Sequence, residues 1–271
     1  MRTVTLPVAY MPLVDAAPLI VAQNLGFAEA EGFDLDLIAA PSWSSLRDML
    51  AFGRVDAAHM LSALPVAMAM GLGGVATSLS VVSVLSINGN VIGVGKDLEA
   101  RLRSRGFDFD FTDPIAAAKA LAQAQRRPIV FGVPFPFSMH VALLRYWAAA
   151  SDLGPESIDI RTVPPPLMAS ALANGDIDAF CVGEPWGSVA VEQGEGALML
   201  PGKSIWSFAP EKVLATRTEW AEQEPELVAR LMRAVWKAGR WLGDPVRRAT
   251  VSDLLSRKEY LDVPAELIDR A

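Results

Sequence analysis

Two stretches of the chain repeat one pattern half a protein apart: LAFGRVDAAHM at 50–60 and LANGDIDAFCV at 172–182. In each copy a helical segment runs up to a glycine, Gly53 or Gly175, a residue that readily adopts the left-handed conformation at which helices end. Apolar residues typical of a buried strand follow, and we predict that this strand begins at Val55 or Ile177. The repeat predicts two α/β lobes built to one plan.

Strand-like apolar runs alternate with helical patterns along the rest of the chain, which favours parallel strands joined by crossover helices. We predict strands at TVTLPVAYM (3–11), FDLDLIAA (33–40) and PIVFGVPF (128–135), and helices over 18–31 and 44–52 and from about residues 139 and 166. The predicted lobe 1 comprises residues 1–90 and 203–271, and lobe 2 comprises 91–202. The linking segments should lie near 88–93 and 202–208.

Composition excludes several classes of function. With 271 residues, 52% of them hydrophobic, and a net charge of −7, the chain has no basic surface for nucleic acid or anionic lipid. The single cysteine, Cys181, excludes an internal disulfide, and the two histidines, His59 and His140, lack partners at metal-ligand spacing. The sequence contains no nucleophile elbow, P-loop or dinucleotide fingerprint. We therefore expect no catalysis, no metal and no cofactor.

Two apolar regions were compared with the patterns of a membrane span and of a secretory signal. No charged residue occurs between Asp56 and Lys96, but glycines at 71, 73 and 74 divide this region into pieces too short to span a bilayer. We predict a buried helix followed by a buried strand at SLSVVSVLSI (78–87). The N-terminal residues, interrupted by Pro7 and Pro12, do not resemble a secretory signal. The expected location is cytoplasmic, or periplasmic if a leader was removed.

The loops that follow the predicted strands indicate a small ligand. They include SWSS (42–45), HMLS (59–62), NGN (88–90), FSMH (137–140) and GEPW (183–186), which are mostly neutral hydrogen-bonding groups, aromatic rings and helix starts. Ligands of open α/β sheets bind beyond the carboxyl ends of the strands, so we expect the ligand between the lobes. Free N–H groups at helix starts suit a small anion.

Several blocks of the sequence resemble one family of binding proteins. The blocks are DAAPLIVAQNLGFAEAEGFDLDL (15–37), SWSSLRDMLAFGRVDAAHML (42–61), VPPPLMASALANGDIDAFCVGEPW (163–186) and PEKVLATRTEW (210–220). They resemble the nitrate-binding proteins of nitrate/bicarbonate ABC importers, and equally their signal-less relatives that sense nitrate or nitrite and restrain an RNA-binding antiterminator. The resemblance covers residues 4 to 265 approximately. It implies a two-lobed, type II periplasmic-binding-protein-like fold, each lobe a mostly parallel sheet flanked by helices.

The resemblance also implies ligand residues. Trp43 matches a tryptophan that walls the anion pocket, and Asn90 stands where an amide donor is usual. His140 occupies the position that separates nitrate from bicarbonate binders, and Lys212 matches a lysine that contacts nitrate. Ser44 and Trp186 complete the predicted ligand-binding set.

Each assignment has a structural alternative. Trp43 could pack against its neighbours without contacting a ligand, His140 could cap its helix, and Lys212 could be a solvated surface lysine. Glu184 is predicted to serve the hinge or a loop hydrogen bond, because a carboxylate would repel an anion. His59 is predicted to satisfy a core hydrogen bond rather than to bind ligand.

Three functions remain open at this point. The resemblance implies a nitrate or nitrite sensor with an antiterminator as partner, or the substrate-binding component of an importer with a permease as partner. Bicarbonate is less favoured because His140 and Lys212 are both present. An enzyme similar to the thiamine-pyrimidine synthases, which share this fold, is disfavoured because those proteins carry a cysteine cluster.

Overall fold

A computed structural model describes residues 4–271 of the chain. The described residues form two compact units: unit 1 comprises residues 4–87 and 210–271, and unit 2 comprises residues 88–209. The lobe boundaries expected at 90/91 and 202/203 thus differ by three residues at the first crossing and by seven at the second. The chain returns to unit 1 only at Pro210, where a strand of that unit begins.

The strands of both units follow the predicted alternation closely. In chain order they are β1 Val4–Tyr10, β2 Phe33–Ala39, β3 Ala57–Leu61, β4 Leu79–Ile87, β5 Asn90–Gly95, β6 Ile129–Val133, β7 Ile158–Thr162, β8 Ala179–Gly183, β9 Gly196–Pro201 and β10 Pro210–Arg217. Thr3, the first residue of the first predicted strand, lies outside the described residues.

The α-helices connect these strands. They are α1 Ala17–Asn24, α2 Phe27–Ala30, α3 Trp43–Ala51, α4 Ala63–Ala69, α5 Lys96–Ser104, α6 Pro114–Ala124, α7 Met139–Ala149, α8 Met168–Ala173, α9 Trp186–Glu192, α10 Gly202–Ile205, α11 Thr218–Gln223, α12 Pro225–Leu242, α13 Arg248–Leu255 and α14 Ala265–Arg270. The single helix predicted over 18–31 is two helices, α1 and α2. The helix predicted from about residue 166 begins as a 3₁₀ turn, Pro165–Leu167.

Each unit contains one five-stranded sheet with the same plan. The order is β2-β1-β3-β10-β4 in unit 1 and β7-β6-β8-β5-β9 in unit 2. In unit 1, β1 pairs parallel to β2 and β3, whereas β10 pairs antiparallel to β3 and β4. Unit 2 repeats this pattern, with β5 as the antiparallel strand. The prediction of mostly parallel sheets flanked by helices is confirmed.

The repeated sequence forms the same helix-to-strand joint in both units. Gly53 and Gly175 have φ values of 75° and 71°, so both use the left-handed conformation that glycine adopts without steric cost. The N–H of Gly53 donates to the Leu50 carbonyl at 3.1 Å, and that of Gly175 donates to Leu172 at 3.0 Å. The duplication in sequence is therefore a duplication in structure.

The residue after each joint fixes the strand to its sheet. The Asp56 N–H donates to the carbonyl of Pro7 in β1, and the Asp178 N–H donates to Val130 in β6. Val55 and Ile177, which we predicted to begin the strands, are buried but precede them by two residues. Their backbone N–H groups still bond back to the preceding helix, which delays strand pairing.

For the apolar residues 57–95 we predicted a buried helix followed by a buried strand, and only the helix agrees with the structure. The helix α4 buries Leu64 and Met68, but β4 lies at the edge of its sheet and pairs only with β10. Val81 and Val84 are 49% and 57% exposed. The predicted buried strand is therefore a half-exposed edge strand. Within residues 4–271, no helix is long and apolar enough to cross a membrane.

The repeated joint allows a clean test of backbone conformation. Gly175→Ala should lower the free energy of unfolding by about 1–2 kcal/mol, because alanine is strained in the left-handed region. No atom lies within 4 Å of the added Cβ, so steric clash does not contribute. Gly239 within α12 is equally open, and Gly239→Ala should instead stabilise by about 1 kcal/mol through helix propensity. Urea unfolding measures both; a loss of stability at Gly239 or a gain at Gly175 would contradict this account.

Candidate functional site

Unit 1 contains a cluster of charged residues at the carboxyl edge of its parallel strands. Asp15 lies in a 3₁₀ turn, Val14–Ala16, shortly after β1. His59 lies in β3, and Glu211 and Lys212 lie near the start of β10. Because β10 runs antiparallel to β3, Lys212 pairs with Leu61, the last residue of β3. The sheet topology thus brings residues that are about 200 positions apart in sequence to one place.

Lys212 is the centre of this cluster and is fully buried. Its Nζ lies 2.8 Å from Asp15 Oδ2 and 2.8 Å from Glu211 Oε1. Burial alone would lower the pKa of Lys212, but the two carboxylates outweigh burial and raise it. Burial likewise opposes ionisation of Asp15, but Lys212 and His59 hold the pKa of this carboxyl well below its usual range. The ammonium and the Asp15 carboxylate are therefore both charged.

A bulge in β10 explains how two adjacent residues come to touch. Neighbouring residues in a regular strand point to opposite faces of the sheet. The pairing of β10 with β4 shifts register between Pro210 and Lys212 and again between Lys212 and Val213. Such irregularities re-aim side chains, and here Glu211 and Lys212 form an ion pair. The solvated surface lysine considered from the sequence is excluded.

Trp43, the first residue of α3, packs beside the cluster and is 1% exposed. Lys212 Nζ lies 5.6 Å from the centre of its ring, and the His59 ring is 6.1 Å away between centroids. Among the described residues, Trp43 Nε1 has no hydrogen-bond acceptor. An indole N–H can only donate, and leaving a buried donor unsatisfied costs about 1–3 kcal/mol. The structure thus leaves a buried donor of unit 1 unsatisfied beside the Lys212 ammonium.

His59 is fully buried and contacts the cluster through Asp15. Its Nε2 lies 3.0 Å from Asp15 Oδ1, while its Nδ1 has no hydrogen-bond partner in the described part of the chain. Sequence reasoning treated His59 as structural and did not identify Asp15 or Glu211 at all. The available signals were the position of Asp15 just after a strand and the adjacency of Glu211 to a predicted ligand lysine. The bulge that joins these groups has no sequence signature.

Ser44 contributes to the helix start rather than to the cluster. Ser42 is the N-cap of α3, and its Oγ accepts the Ser45 N–H at 3.1 Å. The exposed Ser44 hydroxyl lies 3.0 Å from the same oxygen. The structure brings Trp43 and Lys212 together, and Ser44 lies one residue away from Trp43 on the exposed side of the helix.

Unit 2 places the other predicted residues at the corresponding edge of its own sheet. Asn90 is the first residue of the antiparallel strand β5, pairs with Gly183 at the end of β8, and is 2% exposed. His140 is the second residue of α7 and is 1% exposed. Ser138, not His140, caps this helix by accepting the Val141 N–H at 3.4 Å.

Trp186 and Glu184 lie in the turn after β8. Trp186 is the first residue of α9 and is partly buried. Glu184 accepts the Ser188 N–H at 3.0 Å, which is the loop hydrogen bond predicted for it. Burial raises the pKa of the Glu184 carboxyl, and the bond from Ser188 opposes this only in part. Over residues 4–271, no group of three or more potential metal ligands is present.

The fold and this arrangement define a class of protein, and comparison with known proteins identifies it. Two five-stranded sheets of one plan, each with buried polar residues at the carboxyl edge, are typical of solute-binding proteins. The crystal structure of the periplasmic nitrate-binding protein NrtA from Synechocystis matches with a TM-score of 0.87 and 30% identity over 99% of this chain and 70% of that chain. Residues 2–256 match the NMT1-like family. The chain belongs to this family.

Other relatives are longer than this chain. The nitrate import ATP-binding protein NrtC of Synechocystis and the bicarbonate transport ATP-binding protein CmpC of Synechococcus elongatus are each 35% identical over 99% of this chain, which covers 39% and 40% of their lengths. The nitrate/nitrite binding protein NrtA of Nostoc is 31% identical over 100% of this chain and 61% of its own length. The chain therefore spans about two fifths to three fifths of these relatives.

The buried ion pairs of Lys212 predict a large effect on folding. Lys212→Met should lower the free energy of unfolding by about 3–5 kcal/mol, because the buried Glu211 carboxylate and the largely buried Asp15 carboxylate lose the ammonium that they contact. Lys237→Met is the matched control, since Lys237 Nζ lies 2.6 Å from Glu31 Oε1 but its side chain is 43% exposed. Such an exposed pair contributes at most about 1 kcal/mol. Equal losses in both variants, measured by urea unfolding at neutral pH, would contradict the assignment of Lys212 as a structural centre of the cluster.

Proposed function

We propose that this protein binds nitrate or nitrite, without chemical conversion, as the substrate-binding component of an ABC importer. The observation that carries the proposal is the buried Trp43 N–H, which has no acceptor within residues 4–271 and lies beside a buried ammonium group. Nitrate and nitrite offer only acceptors and can satisfy such a donor. The relatives of this chain include nitrate import and nitrate-binding proteins, which supports this choice of anion.

The proposed ligand residues are those expected from the sequence. Trp43 donates its N–H and Lys212 supplies positive charge in unit 1. Asn90 and His140 supply an amide and an imidazole in unit 2, and both side chains are almost fully buried. Ser44 and Trp186 take peripheral roles in this proposal, since one is exposed and the other only partly buried.

Bicarbonate is the second candidate because the CmpC relative is as similar as NrtC. Hydrogencarbonate differs from nitrate in carrying an O–H that needs an acceptor. The carboxylates of Asp15 and Glu211, which contact Lys212, are of the type that can accept such an O–H. Among the described residues, the cluster leaves both a donor, Trp43 Nε1, and a ring nitrogen that can accept, His59 Nδ1, without a hydrogen-bond partner. The preference for nitrate or nitrite therefore rests on the names of the NrtA relatives.

The indole N–H gives the direct test. Nitrate titration of the purified protein should give saturable heat in calorimetry and a saturable change in tryptophan fluorescence. Trp43→Phe retains the ring but removes the donor, and a hydrogen bond to a charged group contributes about 1.5–3 kcal/mol. Affinity should therefore fall about tenfold to a hundredfold.

Trp236→Phe is the control for this variant, because Trp236 lies on α12 with 62% of its surface exposed. It should leave the nitrate affinity unchanged. Absence of binding of both nitrate and nitrite to the unmodified protein would refute the proposed function. Tight binding of bicarbonate with none of nitrate would replace it by the second candidate.

A sensor function is a separate proposal and rests on the resemblance to nitrate-sensing relatives alone. In that case, the protein should hold an RNA-binding antiterminator in a pull-down assay and release it when nitrate is added. The linkage is reciprocal, so the antiterminator should weaken nitrate binding by the same factor. A complex indifferent to nitrate would exclude regulation by this ligand.

A further inference from the structure

The His59 imidazole contacts a carboxylate and lies beside an aromatic ring inside unit 1. Its side chain is fully buried, and its Nε2 lies 3.0 Å from Asp15 Oδ1. The centre of its ring is 6.1 Å from that of Trp43, and the two ring planes are tilted by 42°. Within residues 4–271, neither His59 Nδ1 nor Trp43 Nε1 has a hydrogen-bond partner. The two rings are therefore neighbours that do not satisfy each other.

Asp15 determines which nitrogen of the neutral His59 ring carries the proton. Burial opposes ionisation of Asp15, but Lys212 and His59 hold the pKa of its carboxyl well below its usual range. The resulting carboxylate can only accept, so the proton of the ring lies on Nε2, the nitrogen that faces Asp15. Nδ1 then presents a lone pair while the ring is neutral, and it becomes an N–H donor when the ring is protonated.

We propose that nitrate or nitrite binds to the protonated form of His59, with Nδ1–H as a ligand donor beside the Trp43 N–H. This inference rests on the proposed function and deepens it, because it adds one ligand residue and one proton to the same site. Nitrate and nitrite offer only acceptors, so the lone pair of the neutral ring would face the anion without a hydrogen bond. Hydrogencarbonate differs, because its O–H can donate to that lone pair.

The binding of the anion and of the proton should favour each other. The ionisable groups that pack around the ring in the described part of unit 1 are Asp15 from the turn after β1, and Glu211 and Lys212 from β10. Tyr10, at the end of the adjacent strand β1, is neutral at physiological pH, because burial raises its pKa to about 12. A bound anion adds negative charge beside the ring, and an opposite charge favours the protonated form of an imidazole. The linkage is reciprocal, so protonation strengthens anion binding by the same factor.

Nuclear magnetic resonance of the unmodified full chain tests the proton directly. The sequence contains only two histidines, His59 and His140, so ¹⁵N-labelled histidine gives two sets of ring signals. The nitrogen shifts distinguish each neutral tautomer from the imidazolium form. A spectrum of His140→Gln, recorded without ligand, assigns the remaining set to His59. With saturating nitrate at neutral pH, both ring nitrogens of His59 should be protonated.

The pH dependence of binding gives the magnitude. A hydrogen bond from a charged donor contributes about 1.5–3 kcal/mol, which corresponds to about tenfold to a hundredfold in affinity. By linkage, nitrate should move the deprotonation of His59 to higher pH by about one to two pH units. Imidazoles in proteins commonly exchange their proton between about pH 5 and 8. As the pH rises through this range, calorimetry should show nitrate affinity falling by up to about tenfold per pH unit.

Two amide variants separate the two nitrogens of His59. His59→Asn places its amide near the position of Nδ1 and gives up the contact with Asp15, whereas His59→Gln places its amide near Nε2 and gives up the Nδ1 donor. Nitrate affinity at neutral pH should therefore be at least about tenfold weaker in His59→Gln than in His59→Asn. Each variant is the matched control for the other, and thermal melting establishes that both are folded.

The outcomes separate this inference from the proposed function. Absence of nitrate and nitrite binding to the unmodified protein refutes both. If nitrate binds while one ring nitrogen of His59 stays unprotonated, the inference is wrong and the function stands. The inference is also wrong if His59→Gln binds nitrate as tightly as His59→Asn, because the contact with Asp15 then explains the role of His59. The spectrum of the nitrate complex is recorded on the unmodified protein, so it decides the matter even if a variant does not fold.

Discussion

The contact on which the candidate site depends is the ammonium of Lys212 held between two carboxylates inside a β-sheet. A lysine that is 0% exposed cannot be left without partners, because the cost of desolvating one ion is several kcal/mol. Asp15 and Glu211 offset that cost, and they come from a turn after β1 and from β10 itself. Consequently the bulge in β10, the turn after β1 and the end of β3 are fixed relative to one another. The position of Trp43 beside the ammonium follows from this arrangement.

The topology of the two sheets explains why the site residues occupy these positions. Each sheet contains one antiparallel strand, β10 in unit 1 and β5 in unit 2. In both cases it is the first strand after the chain crosses over from the other unit. An antiparallel strand begins where its parallel neighbours end. Lys212 near the start of β10 therefore pairs with the end of β3, and Asn90 at the start of β5 pairs with the end of β8. The duplicated plan places two predicted ligand residues, a cation and an amide, at equivalent points.

The sequence predicts this framework well because the framework depends on local signals. The glycine joints at 53 and 175, the apolar periodicity and the helix starts at Trp43 and Met139 are all readable along the chain. The predictions that differ from the structure concern hydrogen-bonded partners that the sequence does not specify. β4 is as apolar as a buried strand, but it is the edge of its sheet, and composition does not encode strand order. The strands after both joints start two residues late, because the N–H groups of the preceding residues remain bonded to their helix.

The charged cluster illustrates the same limit at the level of single residues. The resemblance identifies Lys212, but it does not identify Asp15 and Glu211, whose carboxylates contact the Lys212 ammonium. Asp15 is almost 200 residues from Lys212 in sequence, and Glu211 reaches it only because β10 departs from regular alternation. A residue list obtained through resemblance therefore includes the lysine but not the carboxylates that contact it. Tertiary structure brings those carboxylates to the lysine, and pairing with them offsets the cost of burying its ammonium.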